Sequence, residues 1–147
     1  MIEINNLAIN NFVKFIYNNN YYLGYVNAIF SNNVVNIVTF DDKDFNVTSH
    51  EILGIDINDE FLIKNGFNKK LDINSSDYYG YDLHIYSNKI NDCFINIDGF
   101  LSNPTNTYNC QIDDFNCCSL GGFECKYIHE LQNGISLITK KPHKFII

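Results

Sequence analysis

Between Phe12 and Thr48, runs of aromatic and β-branched residues alternate with polar turns too short to contain a helix. Strands are expected over Phe12–Ile16, Tyr21–Phe30, Val34–Phe40 and Phe45–Thr48. The turns between them read Asn18-Asn19-Asn20, Ser31-Asn32-Asn33 and Asp41-Asp42-Lys43-Asp44. Connections this short join antiparallel neighbours, so the segment predicts a meander or a small SH3-like β-barrel.

The pattern then changes. Asn58 is placed to cap a short helix, Asp59 and Glu60 suit its first turn, and Phe61, Leu62 and Ile63 give it an apolar face. Gly66 stands where such a helix would end. Asn68 to Asp77 reads as a polar linker. Tyr79–Ser87 and Cys93–Gly99 both alternate with period two and predict a hairpin of half-buried strands. Leu101 to Gly122 lacks regular pattern and reads as a long loop. A last helix is expected over Tyr127–Thr139, where Ile128, Leu131, Ile135 and Ile138 form one stripe. Gly134 interrupts it at a cost of about 1 kcal/mol relative to Ala. Pro142 prevents its continuation, and Lys144–Ile147 is expected to return as an edge strand. The fold class is therefore α+β. Residues 1–67 form a β-rich half with a short helix, residues 68–147 a hairpin packed with a helix, and the two read as one continuous unit.

Charge narrows the function. The net charge is −7, and all positive charge is lysine. Without arginine there is no bidentate fork for phosphate or guanine, so direct nucleic-acid binding is not expected. An acidic chain suits a partner with a basic surface. No apolar run is long enough for a membrane span, and Met1-Ile2-Glu3-Ile4 has no secretory pattern, so reduced thiols are expected in an intracellular compartment.

Several constellations bear chemistry. Cys110, Cys117, Cys118 and Cys125 are spaced C-x6-C-C-x6-C, with His129 four residues beyond the last. Cys110, Cys117, Cys125 and His129 form a candidate zinc set, although no C-x2-C knuckle is present. The alternative is that these thiols serve as small buried apolar groups and loop residues, with no cofactor. A thiol–imidazole dyad lacks any local signature, and Walker, G-x-S-x-G and H-E-x-x-H motifs are missing from the sequence. Asp41, Asp42 and Asp44, and Asp113 with Asp114, sit where turns would solvate them. Tyr21, Tyr22 and Tyr25 concentrate on one strand, and tyrosine is an interface residue because it buries area while keeping a polar handle. These eight residues are the candidate partner-binding set, and no catalytic residue is assigned.

Three motifs carry a resemblance over most of the chain. They are Leu7-Ala8-Ile9-Asn10-Asn11-Phe12-Val13, the helix segment Asp56 to Phe67, and Tyr127-Ile128-His129-Glu130-Leu131-Gln132-Asn133. In order and spacing the chain resembles a group of short phage and prophage proteins of Bacteroidetes. It departs from their pattern by one residue inserted or shifted in the opening motif, and at Asp56 (proline in the group), Glu130 (glutamine), Gly134 (a bulky apolar residue) and the Cys110–Cys125 insert. The resemblance implies a phage accessory protein in the cytoplasm of a bacterial host, and it implies no reaction. The function expected is that of an acidic inhibitor of a host protein or ribonucleoprotein, in its most concrete form an anti-CRISPR protein. A small zinc- or thiol-dependent enzyme or ligand-binding protein, and a structural or lysogeny component, are the alternatives.

Overall fold

Asn18 and Asn19 alone make the first hairpin turn, and both hold positive φ (49° and 61°). Two consecutive left-handed residues define the type I′ turn, whose twist matches the strands it joins and which favours asparagine. Asn10, Asn33 and Asp42 take the same conformation in neighbouring turns. Part of the asparagine excess therefore has a backbone use. The structure is a computed structural model and describes residues 1–73, 83–90, 92–100 and 107–146.

That hairpin joins β1 (Phe12–Tyr17) to β2 (Asn20–Ile29), and β3 (Val34–Thr39), β4 (Asp44–Thr48) and β5 (Ile52–Leu53) follow. They form an antiparallel sheet in the order β4-β3-β2-β1-β5. The sheet is open and does not close into the SH3-like barrel expected from the turn spacing. β4 and the two-residue β5 stand at opposite edges with no ladder between them. One face carries Val13, Phe15, Val26, Val35, Ile37, Val47 and Ile52, which pack with Ile2 and Leu7 into a core. Burial of such side chains stabilises by about 1.5–3 kcal/mol each.

The chain divides into two compact units. The first is residues 1–56 with 127–133, and the second is residues 57–126 with 134–147. The second begins with α1 (Asp59–Lys64), where Asn58 accepts from the Phe61 amide at 2.8 Å as its cap. Gly66, at φ 81°, ends the helix with a left-handed turn. Five antiparallel strands follow in the order β10-β9-β8-β7-β6. They are β6 (Asn68–Ile73), β7 (Leu83–Ile90), β8 (Cys93–Phe100), β9 (Tyr108–Asp113) and β10 (Ser119–Cys125).

Here the structure differs from expectation in three places. The supposed linker from Asn68 contains β6, an edge strand, where lysine is tolerated. The supposed loop contains the β9–β10 hairpin, in which Tyr108, Cys110 and Ile112 alternate inward. Its cysteines and glycines had masked that alternation. No strand follows Pro142 in the described residues; Phe145 is instead buried against Phe61 at 5.1 Å and Phe67 at 6.4 Å. The expected strand residues Tyr79 to Asp82 lie outside the described residues.

α2 (Ile128–Thr139) is the expected amphipathic helix, with Ile128, Leu131 and Ile135 buried. Gly134 has a packing reason: a side chain there would run into the Phe123 ring. Among the described residues no helix is long and apolar enough to cross a membrane.

Candidate protein-binding surface

The face of the first sheet opposite its core is set by register. Asp44, Val38, Tyr25 and Phe12 lie in one row across β4, β3, β2 and β1. Leu23 opposes Lys14, and Tyr21 opposes Ile16, in the next rows. Residues directly opposite share a face, so Tyr21, Leu23 and Tyr25 project together. Tyr21 is 66% exposed, Leu23 is 41% exposed, and Phe40 at the end of β3 is 56% exposed. The Lys14 ammonium lies 5.4 Å from the Tyr21 ring centroid, a cation–π contact. Phe40 rests on Phe12 at 5.9 Å. Leu23, Ile16, Lys14 and Phe40 were missed as partners of the tyrosines. Their period-two spacing was visible, but which strands were neighbours was not.

Tyr22 does not belong to this surface. It points to the core side, where it stacks on Phe15 at 5.5 Å and meets Phe45 at 5.1 Å. Adjacent residues on a strand face opposite ways, so three tyrosines at 21, 22 and 25 cannot share one side.

The acidic turn splits by role. Asp41 accepts from the Thr39 hydroxyl at 2.6 Å and pairs with Lys43 at 2.6 Å. The Lys43 ammonium first, and the Thr39 hydroxyl second, hold its carboxyl below the usual carboxylate range. Asp41 is thus occupied in the turn. Asp42, in the left-handed position, and Asp44, at the start of β4, are exposed.

Further along the face, Asn27 donates to Asn36 at 2.9 Å, and Asn36 donates to Asn46 at 3.0 Å. This amide chain crosses β2, β3 and β4. A bulge between Val26 and Ala28 supplies the extra residue that brings Asn27 alongside.

In the second unit Asp114 closes the β9–β10 turn. One of its oxygens accepts from the amides of Asn116 and Cys118, both at 2.8 Å. Asp113 accepts from Gln111 at 3.1 Å and Asn96 at 3.3 Å across the sheet. Both carboxylates have structural partners, while Phe115 at the hairpin tip is 66% exposed. On the same side as Asp113 an open hollow of about 340 Å³ is lined by Asp98, Asn109, Gln111 and Glu124. Burial pushes the Asp98 carboxyl above its ordinary value.

The candidate zinc set Cys110, Cys117, Cys125 and His129 is not assembled. Among the described residues no three His, Cys, Asp or Glu side chains come together to hold a metal. Cys110 and Cys125 are buried two ladder steps apart, opposite Phe123 and Tyr108, whereas Cys117 is exposed in the hairpin turn with φ 61°. The strand pairing separates residues whose sequence spacing suggested convergence. Burial, with Asp98 as the lesser cause, pushes the Cys110 thiol up to about 12. It is therefore protonated at neutral pH.

His129 belongs to the first unit, 1% exposed and stacked on Tyr127 at 5.7 Å. Beside it, the end motif and the opening motif form one hydrogen-bonded cluster. Gln132 accepts from the Phe12 amide at 3.0 Å and donates to the Asn10 carbonyl at 3.2 Å. Asn133 exchanges hydrogen bonds with Asn11 at 2.8 and 3.2 Å and donates to the Asn6 carbonyl at 2.9 Å. The residues that carried the resemblance are thus occupied in fastening α2 to the start of β1. No family model, curated protein or solved structure matches the chain.

Proposed function

We propose that this protein acts by binding, docking an acidic, tyrosine-bearing surface onto a basic region of a host protein or ribonucleoprotein and blocking it. The concrete form of the proposal is a phage-encoded inhibitor in the bacterial cytoplasm, with a CRISPR effector nuclease as target. The observation that carries it is the outer face of the first sheet, where Tyr21, Leu23 and Phe40 are exposed and Asp42 and Asp44 flank them. Aromatic area supplies affinity, and the −7 charge supplies orientation and speed of encounter. Effector nucleases present basic channels for guide and target, a surface of the required sign. The resemblance to phage proteins supports the same reading.

The test is capture from host lysate on tagged protein at low and high salt, read by mass spectrometry. One stoichiometric host protein or ribonucleoprotein is expected, weakened by salt and lost with Tyr21→Ala/Asp44→Lys. Capture of nothing, or of a partner that the double variant retains equally, would refute the reading.

A further inference from the structure

β4 is an edge strand whose outward hydrogen-bonding groups follow from its pairing. The Ser49 amide donates to the Asn33 carbonyl at 3.1 Å, and the Thr39 amide to the Lys43 carbonyl at 3.0 Å. Both bonds lie on the β3–β4 register that pairs Asn36 with Asn46. Hydrogen-bonded pairs alternate in an antiparallel ladder. Residues 43, 45, 47 and 49 therefore turn their amides and carbonyls toward β3. Asp44, Asn46 and Thr48 turn theirs to the open edge. The Thr48 amide is already taken there by the Glu51 carboxylate at 2.7 Å. Asp44 and Asn46 are left with a free amide and carbonyl each among the described residues.

The other edges are closed to such use. β5 is two residues long, and the ladders of β6 and β10 are both broken by a register shift. Bulges and very short strands are how sheets prevent unwanted pairing. β4 has neither, and its five pairs run in unbroken register. The amide chain also ends here. Asn46 accepts from Asn36, and its own Nδ2 makes no hydrogen bond among the described residues.

The charges choose the occupant. Asp42 and Asp44 stand at one end of the edge and Glu51 at the other, while the nearby Lys43 is paired with Asp41. A second copy paired about Asn46 would set Asp44 against Thr48 and Glu51 of its twin, bringing two carboxylates together. A strand bearing lysine or arginine at those positions meets opposite charge instead.

The geometry points to β4 as a docking edge for an extended basic segment of another protein. The segment adds antiparallel to the first sheet, with a hydrogen-bond acceptor opposite Asn46 and a cation two residues on, opposite Asp44. This rests on the partner-binding reading above and specifies how the partner is held. Main-chain bonds provide attachment, and alternate side chains provide selection.

The probe is a ten-residue peptide of alternating threonine and lysine with one central asparagine; its counterpart carries glutamate for lysine. On binding, amide exchange at Asp44 and Asn46 should slow, with no slowing by the acidic peptide. Asn46→Pro removes the outward amide, which an edge strand tolerates, together with the side-chain bond from Asn36, and should weaken binding about tenfold by deleting one edge bond. Asn46→Lys is the second variant, repelling the basic strand while keeping the backbone amide. Protection elsewhere on the sheet with Asp44 and Asn46 unchanged, binding by both variants as tight as the parent's, or self-association of the free chain through β4 would overturn the proposal. A lysate partner lost from Tyr21→Ala/Asp44→Lys but held fully by Asn46→Pro and Asn46→Lys overturns the docking edge alone and leaves the binding function standing.

Discussion

Gln132 offers the sharpest test of how the first unit is held. The Val26 amide donates to Asn11 at 2.9 Å and the Asn10 amide to Val26 at 2.7 Å, so odd-numbered residues of β1 bond toward β2. Phe12 therefore directs its amide the other way, where β5 reaches only Lys14 and Phe15. The Gln132 amide fills the gap as a neighbouring strand would, accepting from Phe12 and donating to Asn10. Gln132→Met keeps the length and removes both bonds. An unmade buried donor costs about 1–3 kcal/mol, and the carbonyl, with a second lone pair, costs less. The expected loss is about 2–4 kcal/mol, or roughly 30- to 700-fold in the opening equilibrium. Urea unfolding followed by far-ultraviolet circular dichroism measures it, with β1 amide exchange to localise it. Leu137→Ala, on the same helix at a side chain 69% exposed, should change stability by less than about 0.5 kcal/mol. Gln132→Glu keeps an acceptor but buries a charge, so its deficit should be larger at pH 7 than at pH 4. If Gln132→Met unfolds within about 0.5 kcal/mol of the parent, the amide is not serving as a surrogate strand.

Gly134→Ala should change sign with its neighbour. It is destabilising by up to about 2 kcal/mol against Phe123 because overpacking outweighs helix propensity, and stabilising by about 1 kcal/mol in a Phe123→Ala background; the same sign in both urea titrations would refute the packing account. Burial lowers the His129 pKa below its usual 6.5, against the raising effect of Glu130, and the His143 pKa is lowered by burial too. The unfolded chain then binds the protons first, so stability is full above pH 6.5 and falls as pH drops toward the folded values. Melting temperatures across that window should slope less in His129→Phe, and less again in His129→Phe/His143→Phe. At neutral pH an alkylating reagent should modify Cys117 and Cys118 in the folded protein, while Cys93, Cys110 and Cys125 react only after unfolding. Peptide mapping reads this, and rapid modification of Cys110 would contradict its burial.

Local signals in the sequence were enough for elements whose cause is local. Asn18-Asn19 makes a hairpin because two left-handed residues suffice, and Asn58 with Gly66 brackets α1 because caps act within a turn. Aromatic and β-branched runs between polar turns likewise placed β1 to β4, and period-two and period-3.6 spacing placed β8 and α2. The hairpin of β9 and β10 was illegible because cysteine and glycine carry little strand preference, and only pairing with β8 makes Cys110 an inward residue. The candidate surface was half legible. Tyr21, Tyr25 and Asp44 were named from composition, but strand alternation sends Tyr22 to the core, and turn bonds occupy Asp41 and Asp114. Four ligand-type residues near one another in sequence did not make a metal site, since sheet pairing fixes which side chains meet. By itself the sequence determined the α+β class, the turns between β1 and β4, the caps of α1 and the acidic charge. Tertiary structure alone decided the open sheet, the exposed β4 edge and the use of Gln132 and Asn133 on β1. Capping and periodicity are properties of adjacent residues, whereas edges, faces and long-range hydrogen bonds exist only once distant strands are paired.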